Sequence, residues 1–581
     1  MPDPRAPSGA SQQPASDPAP PEPTRRRVQT LLEEAWHAAA GSGALPPLPG
    51  EAIEAALEVA RPADLTHGDY ASAVALKTAR PLGRPPRAIA EALAAALAAR
   101  IDRADPGTEV LAAVEVAGPG FLNLHLAPTY VERALDAAVE AGPAYGRLRA
   151  VGPRRINVEF VSANPTGPLH IGNARGAFVG DLLARVLEAA GHAVTREYYF
   201  NDFGSQVRNL GGSVRALRAG EPIPQDGYHG GYVAELAAAV PQDLWAAATA
   251  PGADAEELLG RWASERVRAG IEASLARLGV RFDVWKSEGS LYAEGLVAQA
   301  VERLQAAGAL YEEDGALWFR STTFGDDKDR VVRRSNGDYT YFGSDVGYLV
   351  DKFGRGFDEL LYLWGQDHHG TVARLRNAAE AMGFARDDVR VLLIAWVRFV
   401  RDGVEVSMSK RAGEFITLDE LLAEIGVDAA RWFFGARGYT VGIDFDIELA
   451  KRQSADNPVY YVQYAHARIA SILRKAEQEG LLPAPSLRGA LADDPVALGL
   501  ARGVLRLPEV LEDAATAEET QGLPAYATEL ATIFHAFYRD RRVVDPADPA
   551  TSALRLRLVQ ATRLALANTL GLLGIAAPDS M

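Results

Sequence analysis

Between residues 156 and 200 the sequence reads as a strand, a loop, a helix and a second strand, and no other stretch restricts the fold as tightly. Ile156 to Val161 is an apolar run of strand length, Ser162 to Ile171 is a loop stiffened by Pro165 and Pro168, Asn173 to Ala190 has helical periodicity, and Ala193 to Phe200 is again strand-like. Two strands joined through a helix lie parallel in one sheet, and parallel sheets are covered by helices on both faces. The unit predicts a Rossmann-type α/β domain. Glu359 to Trp364 and Val389 to Ala395 supply further strands, residues 205 to 320 read as a mostly helical insertion, and the sheet region is expected to close near Thr440.

On either side the pattern changes. Residues 1 to 24 hold eight of the 35 prolines beside Ala, Ser and Gln, a composition that buries no core and predicts a disordered tail. Residues 25 to 127 interleave helices (Arg25 to about Gly50, another from Glu51, Arg87 to Arg100) with strand-like segments (Asp69 to Ala79, Glu109 to Ala117, Phe121 to Leu126), so an N-terminal α+β domain is expected. A helical linker over 128 to 152 leads to the Rossmann-type domain at 153 to 443. From 444 to 581 no strand is expected; Ala455 to Glu479, Asp494 to Glu512, Pro524 to Arg541 and Thr551 to Leu573 read as helices of an all-α bundle. The chain is thus multidomain, as 581 residues require at roughly 100–200 residues per domain.

Composition removes several classes of chemistry. With no cysteine, thiolate metal sites, disulfides and cysteine nucleophiles are excluded. Lys plus Arg number 60 and Asp plus Glu 76, a net charge of −16, which argues against indiscriminate adhesion to polyanions but not against a local basic RNA-binding face. The longest apolar stretches are too short to span a bilayer, and the arginines at 25 to 27 precede no apolar core of a leader, so cytoplasmic residence is expected.

Ala163-Asn164-Pro165-Thr166-Gly167-Pro168-Leu169-His170-Ile171-Gly172-Asn173 carries the chemistry. Gly167 and Gly172 let the backbone approach a ligand, and the unpaired N–H groups at the helix start form a phosphate site beside His170. A strand-to-helix turn with a packed histidine competes with that reading. Downstream, Lys410 and Arg411 stand in the small-residue loop Val406-Ser407-Met408-Ser409-Lys410-Arg411-Ala412-Gly413, where a cation can meet charge developing on a departing pyrophosphate. A solvated basic turn is the alternative.

Together, in this order, the two loops resemble the paired motifs of class I aminoacyl-tRNA synthetases. Asn157 to Pro165, Tyr198-Tyr199-Phe200-Asn201-Asp202-Phe203-Gly204, Val114 to Asn123 and Tyr460 to Arg468 narrow the resemblance to the arginyl-tRNA synthetases. The resemblance implies that ATP and L-arginine give an enzyme-bound adenylate, and that arginine then passes to tRNA(Arg). It puts His170, Asn173 and Lys410 in catalytic roles, and adds Gly167, Pro168, Gly172, Met408 and Ser409 around ATP. Asn173 replaces the second histidine of the family's first motif, and Ser407 the first lysine of its second. ATP enters as substrate with Mg2+ on its phosphates, no built-in metal or cofactor is expected, and a monomer is the family's usual state. The family also generally needs tRNA for activation.

The substrate side has a physical reading of its own. Glu159 interrupts an apolar strand just before the nucleotide loop, and a charge there needs a partner. Asp345 offers a second carboxylate, and two carboxylates grip a guanidinium through its fixed fork of donors. Pairing of Glu159 with Arg155, or capping of a helix by Asp345, are the structural alternatives. The resemblance matches Tyr341 and Asp345 to the family's arginine-binding Tyr and Asp, and adds Asn164 at the α-amino end and Gln366. Phe121 and Asn123 match a family position that contacts an unpaired tRNA base, and Tyr460, Tyr464 and Arg542 are further candidate tRNA contacts. Two rival functions remain: an idle, tRNA-binding relative of the synthetases, suggested by Asn173 and Ser407, and a nucleotidyltransferase sharing the His-x-Gly-His loop.

Overall fold

The computed structural model describes residues 20–47, 56–105, 107–401, 403–405 and 417–581. The chain forms two compact units, one of Met1–Arg149, Arg468–Glu509 and Thr532–Asn568, the other of Ala150–Ala467, Val510–Ala531 and Thr569–Met581.

In the first unit, β1 (Val59–Ala60), β2 (Tyr70–Ser72), β3 (Leu111–Ala117) and β4 (Phe121–Leu126) form an antiparallel sheet in the order β1-β2-β4-β3. The helices Thr24–Gly41 and Pro86–Ile101 pack on one another, burying Val28, Leu32 and Trp36 from the first and Ile89, Leu93 and Leu97 from the second, four to eight residues apart as a helical stripe requires. Polar anchors tie the C-terminal helices of this unit to it. The Glu132 carboxylate accepts from the backbone N–H groups of Gly489 and Leu491, both at 2.9 Å, and Glu509 accepts from Arg61 Nε at 2.9 Å and from the Tyr70 hydroxyl.

The second unit is built on a five-stranded, all-parallel sheet in the order β12-β11-β5-β6-β7, where β5 is Arg155–Glu159, β6 Ala193–Phe200, β7 Val284–Ser287, β11 Glu359–Gly365 and β12 Val389–Ile394. β5 lies in the middle and runs into the helix Ile171–Ala189, so its carboxyl end opens where parallel sheets bind their ligands. Two smaller sheets flank this core, one of β8 (Leu310–Glu313), β9 (Ala316–Phe319) and β10 (Arg330–Arg333), the other of β13 (Val397–Arg401), β14 (Val404–Glu405) and β15 (Ile443–Asp446).

Several elements differ from the sequence expectation. The strand-like stretch Asp69 to Ala79 is β2 followed by a helix, Val74–Leu82, whose buried Val74, Ala75 and Thr78 share one face at helical spacing. β7, β8 and β9 lie inside the stretch read as a mostly helical insertion, and β7 belongs to the main sheet. The sheet region runs past Thr440, since β15 pairs in parallel with β13, its Ile443 and Phe445 inward and its Asp444 and Asp446 outward. The single helix expected from Asp494 to Glu512 is two, Pro495–Val504 and Leu507–Ala517, because Pro508 has no N–H to continue the first. The tail up to Ala19 and the helix start at Glu51 lie outside the described residues.

Candidate active site

At the end of β5 the backbone reverses abruptly: Val161 and Ser162 both adopt positive φ, 66° and 41°. For a β-branched valine this is a costly conformation, of the order of 1–3 kcal/mol, and such strain persists only where the surroundings impose it. Here they do. The Tyr198 hydroxyl accepts from the Ala163 N–H (3.1 Å) and donates to the Ala163 carbonyl (2.8 Å), while Ser162 Oγ accepts from the Tyr199 N–H at 3.1 Å. Further along the loop, Ser264 Oγ donates to the Pro165 carbonyl and the Tyr232 hydroxyl to the Thr166 carbonyl, and the Tyr232 ring stands against Gly167.

The reversal makes room for a cavity of about 490 Å³ lined by Glu159, Asn164, Tyr199, Tyr341, Asp345, Tyr348, Tyr362 and Arg374 among others. Four of the five residues expected around arginine, Glu159, Asn164, Tyr341 and Asp345, therefore face one space. The fifth, Gln366, lines a second cavity of about 460 Å³ with Gly172, Asn173, Arg175, Asp367 and Trp396. Val161, Trp364, Gly365 and His368 line both cavities, so the two share a wall.

Asp345 lies in the second turn of the helix Tyr341–Gly354, whose N-cap is Thr340, so capping is not its role. Burial pushes its carboxyl up to about 7; Arg374 pulls down against it and Glu288 and Glu159 add to the rise. Glu159 pairs with Lys352, not with Arg155: Nζ lies 2.6 Å from Oε2, and Ser162 Oγ donates to Oε1 at 3.1 Å. Burial raises the Glu159 carboxyl and Lys352 opposes the rise. The strand register sets Glu159 beside Glu197 of β6 and Tyr362 of β11. Glu197 is held in turn by both terminal guanidinium nitrogens of Arg355 at 2.7 Å. Asn164 donates to Gln206 Oε1 at 2.7 Å, and Tyr341 is 63% exposed at the mouth. The buried Tyr362 hydroxyl has no hydrogen-bond partner among the described residues, a group that asks for a ligand.

The nucleotide side starts at His170, the N-cap of the helix Ile171–Ala189. Its N–H donates to Asn173 Oδ1 at 3.2 Å, which fixes the amide that stands where the family motif has histidine. A Cβ at Gly172 would lie 2.8 Å from the His170 ring, so only glycine lets the imidazole fold over the helix start. Pro168 leads into Leu169, whose carbonyl accepts from Leu418 at 3.0 Å, and His170 bridges to Thr417. Met408, Ser409 and Lys410 lie outside the described residues; Thr417 is the first described residue after them and stands beside His170. Sequence reasoning missed Arg175. Fully buried and with no carboxylate partner among the described residues, it donates to the carbonyls of Ala395 (2.9 Å), Trp396 (3.3 Å) and Gly438 (2.8 Å), and burial lowers its guanidinium to about 10.

Phe121 on β4 is 41% exposed, whereas Asn123, two residues on, is buried. The Tyr460 and Tyr464 rings stack at 6.5 Å on the helix Pro458–Gln478. Arg542 is exposed, with Asp545 at 3.4 Å. His466, two residues beyond Tyr464 and so on another face of the helix, is buried, with Nδ1 2.8 Å from the Pro578 carbonyl.

A cavity lined by two carboxylates, Glu159 and Asp345, thus shares a wall with one opening on amides at a helix start, an arrangement able to bring a cationic substrate against a phosphate. Comparison with known proteins agrees along the chain. Residues 26–126 match the arginyl-tRNA synthetase N-terminal domain, residues 139–216 and 256–433 the class I (R) tRNA synthetase catalytic domain, and residues 462–581 the DALR anticodon binding domain. The arginine–tRNA ligase of Citrifermentans bemidjiense is 45% identical over 90% of this chain and 95% of the relative. That of Moorella thermoacetica is 44% identical over 96% and 99%. The solved Thermus thermophilus arginyl-tRNA synthetase superposes with a TM-score of 0.72 at 25% identity, covering 96% of this chain and all of the other. Matches that run through the anticodon-binding domain do not favour a small nucleotidyltransferase, and this chain belongs to the arginyl-tRNA synthetase family of class I aminoacyl-tRNA synthetases.

Proposed function

We infer that the chain is an arginine–tRNA ligase that activates L-arginine with ATP and transfers it to tRNA(Arg), releasing pyrophosphate and AMP. The observation that carries the substrate is the placement of Asp345 and Glu159 on one cavity that shares a wall with the cavity at the helix start. The guanidinium meets Asp345, which makes no direct ion pair among the described residues, and takes a further acceptor from Glu159. Tyr341 closes the mouth and Asn164 receives the α-amino end. This leaves the α-carboxylate toward the shared wall.

ATP lies against Gly172 and Asn173, and His170 and Lys410 meet phosphate charge, with Gly167, Pro168, Met408 and Ser409 shaping the loops. Gln366 lines the nucleotide side, so its contribution is to the bond between the two substrates and not to the guanidinium. Magnesium enters on the phosphates of ATP. Neither step needs a side-chain nucleophile: position and charge do the work. Phe121 offers a face to an unpaired base of the tRNA, Asn123 supports it from the sheet, and Tyr460, Tyr464 and Arg542 contact the anticodon arm. The protein acts in the cytoplasm, where its three substrates are, as a monomer.

Charging of total tRNA with each of the twenty amino acids tests the reading. Arginine alone should be accepted, with Asp345→Asn reducing charging through KM for arginine. Charging of another amino acid, or normal tRNA binding with no arginine-dependent pyrophosphate exchange in the presence of tRNA, would overturn it.

A further inference from the structure

A lysine with 0% exposure lies beneath the arginine cavity, and neither the two-carboxylate picture of the pocket nor fold stability accounts for it. Lys352 stands on the helix Tyr341–Gly354, two turns beyond Asp345. Its ammonium has three close neighbours: Glu159 Oε2 at 2.6 Å, the Tyr362 ring centroid at 3.9 Å and the Tyr348 ring centroid at 4.2 Å. Two aromatic faces and one carboxylate make a dry ammonium cage. The Tyr348 hydroxyl is itself fixed by donating to Glu197, which Arg355 holds from the other side. The cage is thus rigid from strand to helix.

Replacing a buried ion pair by apolar side chains is often neutral or stabilising, so such a pair is weak evidence for a stabilising role. What the pair does do is constrain Glu159. Lys352 occupies Oε2 and Ser162 occupies Oε1. Each carboxylate oxygen is thereby held by a donor, and the side chain so fixed lines the cavity. The pair is neutral as a whole, so Asp345 is the lining carboxylate that makes no direct ion pair among the described residues, with Arg374 of the same cavity acting on it at longer range.

We propose that Lys352 is a positioning residue for arginine recognition: caged by Tyr348 and Tyr362, it holds Glu159 as an oriented acceptor for one guanidinium N–H while Asp345 supplies the counter-charge. The inference rests on the reading of this cavity as the arginine site. Without Lys352, the buried Glu159 would take up a proton, and arginine would have to displace it. Lys352 touches no substrate and acts only through Glu159.

A double-mutant cycle on the full-length enzyme tests this, with KM for arginine, KM for ATP and kcat measured in tRNA charging. Lys352→Met should raise KM for arginine at least tenfold, with KM for ATP and kcat at saturating arginine changing less than twofold. In the Glu159→Gln background the same substitution should add less than twofold, because the group it positions has lost its charge. Thermal unfolding of all four proteins guards against a folding defect, and Lys352→Gln replaces Lys352→Met if the latter does not fold. A second readout is chemical rescue: propylammonium should restore arginine affinity to Lys352→Ala saturably, and propanol should not. Equal effects of Lys352→Met in the two backgrounds, or loss of kcat without change in KM, would overturn the proposal. The separate control is Asp345→Asn: if it leaves KM for arginine unchanged, the cavity reading itself fails, whereas a raised KM beside an additive cycle removes only Lys352.

Discussion

Lowering the pH from 8 to 6 should weaken arginine binding about tenfold through Asp345. The carboxyl is pushed up to about 7 by burial, so the empty site holds a proton below that pH and a free carboxylate above it. A guanidinium pairs only with the carboxylate and so binds with release of the proton. The apparent dissociation constant scales as 1 plus ten to the power of the difference between pKa and pH, giving about 11 at pH 6 and about 1.1 at pH 8, a tenfold change or about 1.4 kcal/mol. The direct assay is calorimetric titration of the enzyme with arginine in buffers of different ionisation heat. About 0.9 proton should leave per arginine bound at pH 6 and about 0.1 at pH 8. Asp345→Asn should abolish both the pH dependence and the proton release, and should weaken binding by about 2–5 kcal/mol, the range for truncating one partner of a buried charge pair. A dissociation constant flat from pH 6 to 8, with no proton released at pH 6, would refute the assignment of the titrating group and with it the role of Asp345 as counter-charge.

Other expectations follow from the same geometry. In the empty enzyme the raised Asp345 carboxyl opposes folding when ionised: stability falls as pH rises from the unfolded value near 4 toward 7 and then levels, so Asp345→Asn should raise Tm more at pH 8 than at pH 5. Gly180→Ala places a methyl 2.3 Å from the Phe160 ring and should cost about 1–3 kcal/mol in urea unfolding, through overpacking. Arg175→Lys cannot reach three carbonyls with one ammonium, and should raise KM for ATP several-fold in pyrophosphate exchange while sparing KM for arginine. Exchange without tRNA should be at least a hundredfold slower than with it, in keeping with Ser407 in place of a lysine; equal rates would end that idea.

What could be read in advance was whatever local pattern alone dictates. The strand, loop and helix around the first motif follow from apolar periodicity and from the prolines, and the charged Glu159 inside an apolar strand announced itself by breaking that pattern. Asp345 was recoverable through a family match, not through spacing. The partner of Glu159 was not: Lys352 sits in Asp351-Lys352-Phe353, next to an acid and near a helix end, which reads as solvated surface until the fold carries it under the sheet. Arg175 was hidden for the same reason. The positive φ of Val161 ran against expectation, since a valine after an apolar run argues for continued extension, and only the Tyr198 clamp imposes the reversal. Short strands such as β7 and β15 carry four residues each, too few for alternation to stand out from a loop.

The bond from the Leu418 amide to the Leu169 carbonyl gives the enzyme a built-in reporter. One end belongs to the residue just before the first-motif histidine, the other to the first residue of the helix Leu418–Ile425. Exchange of the Leu418 amide with deuterated water therefore reads out opening of this contact beside His170, and should be slower with ATP present than without it.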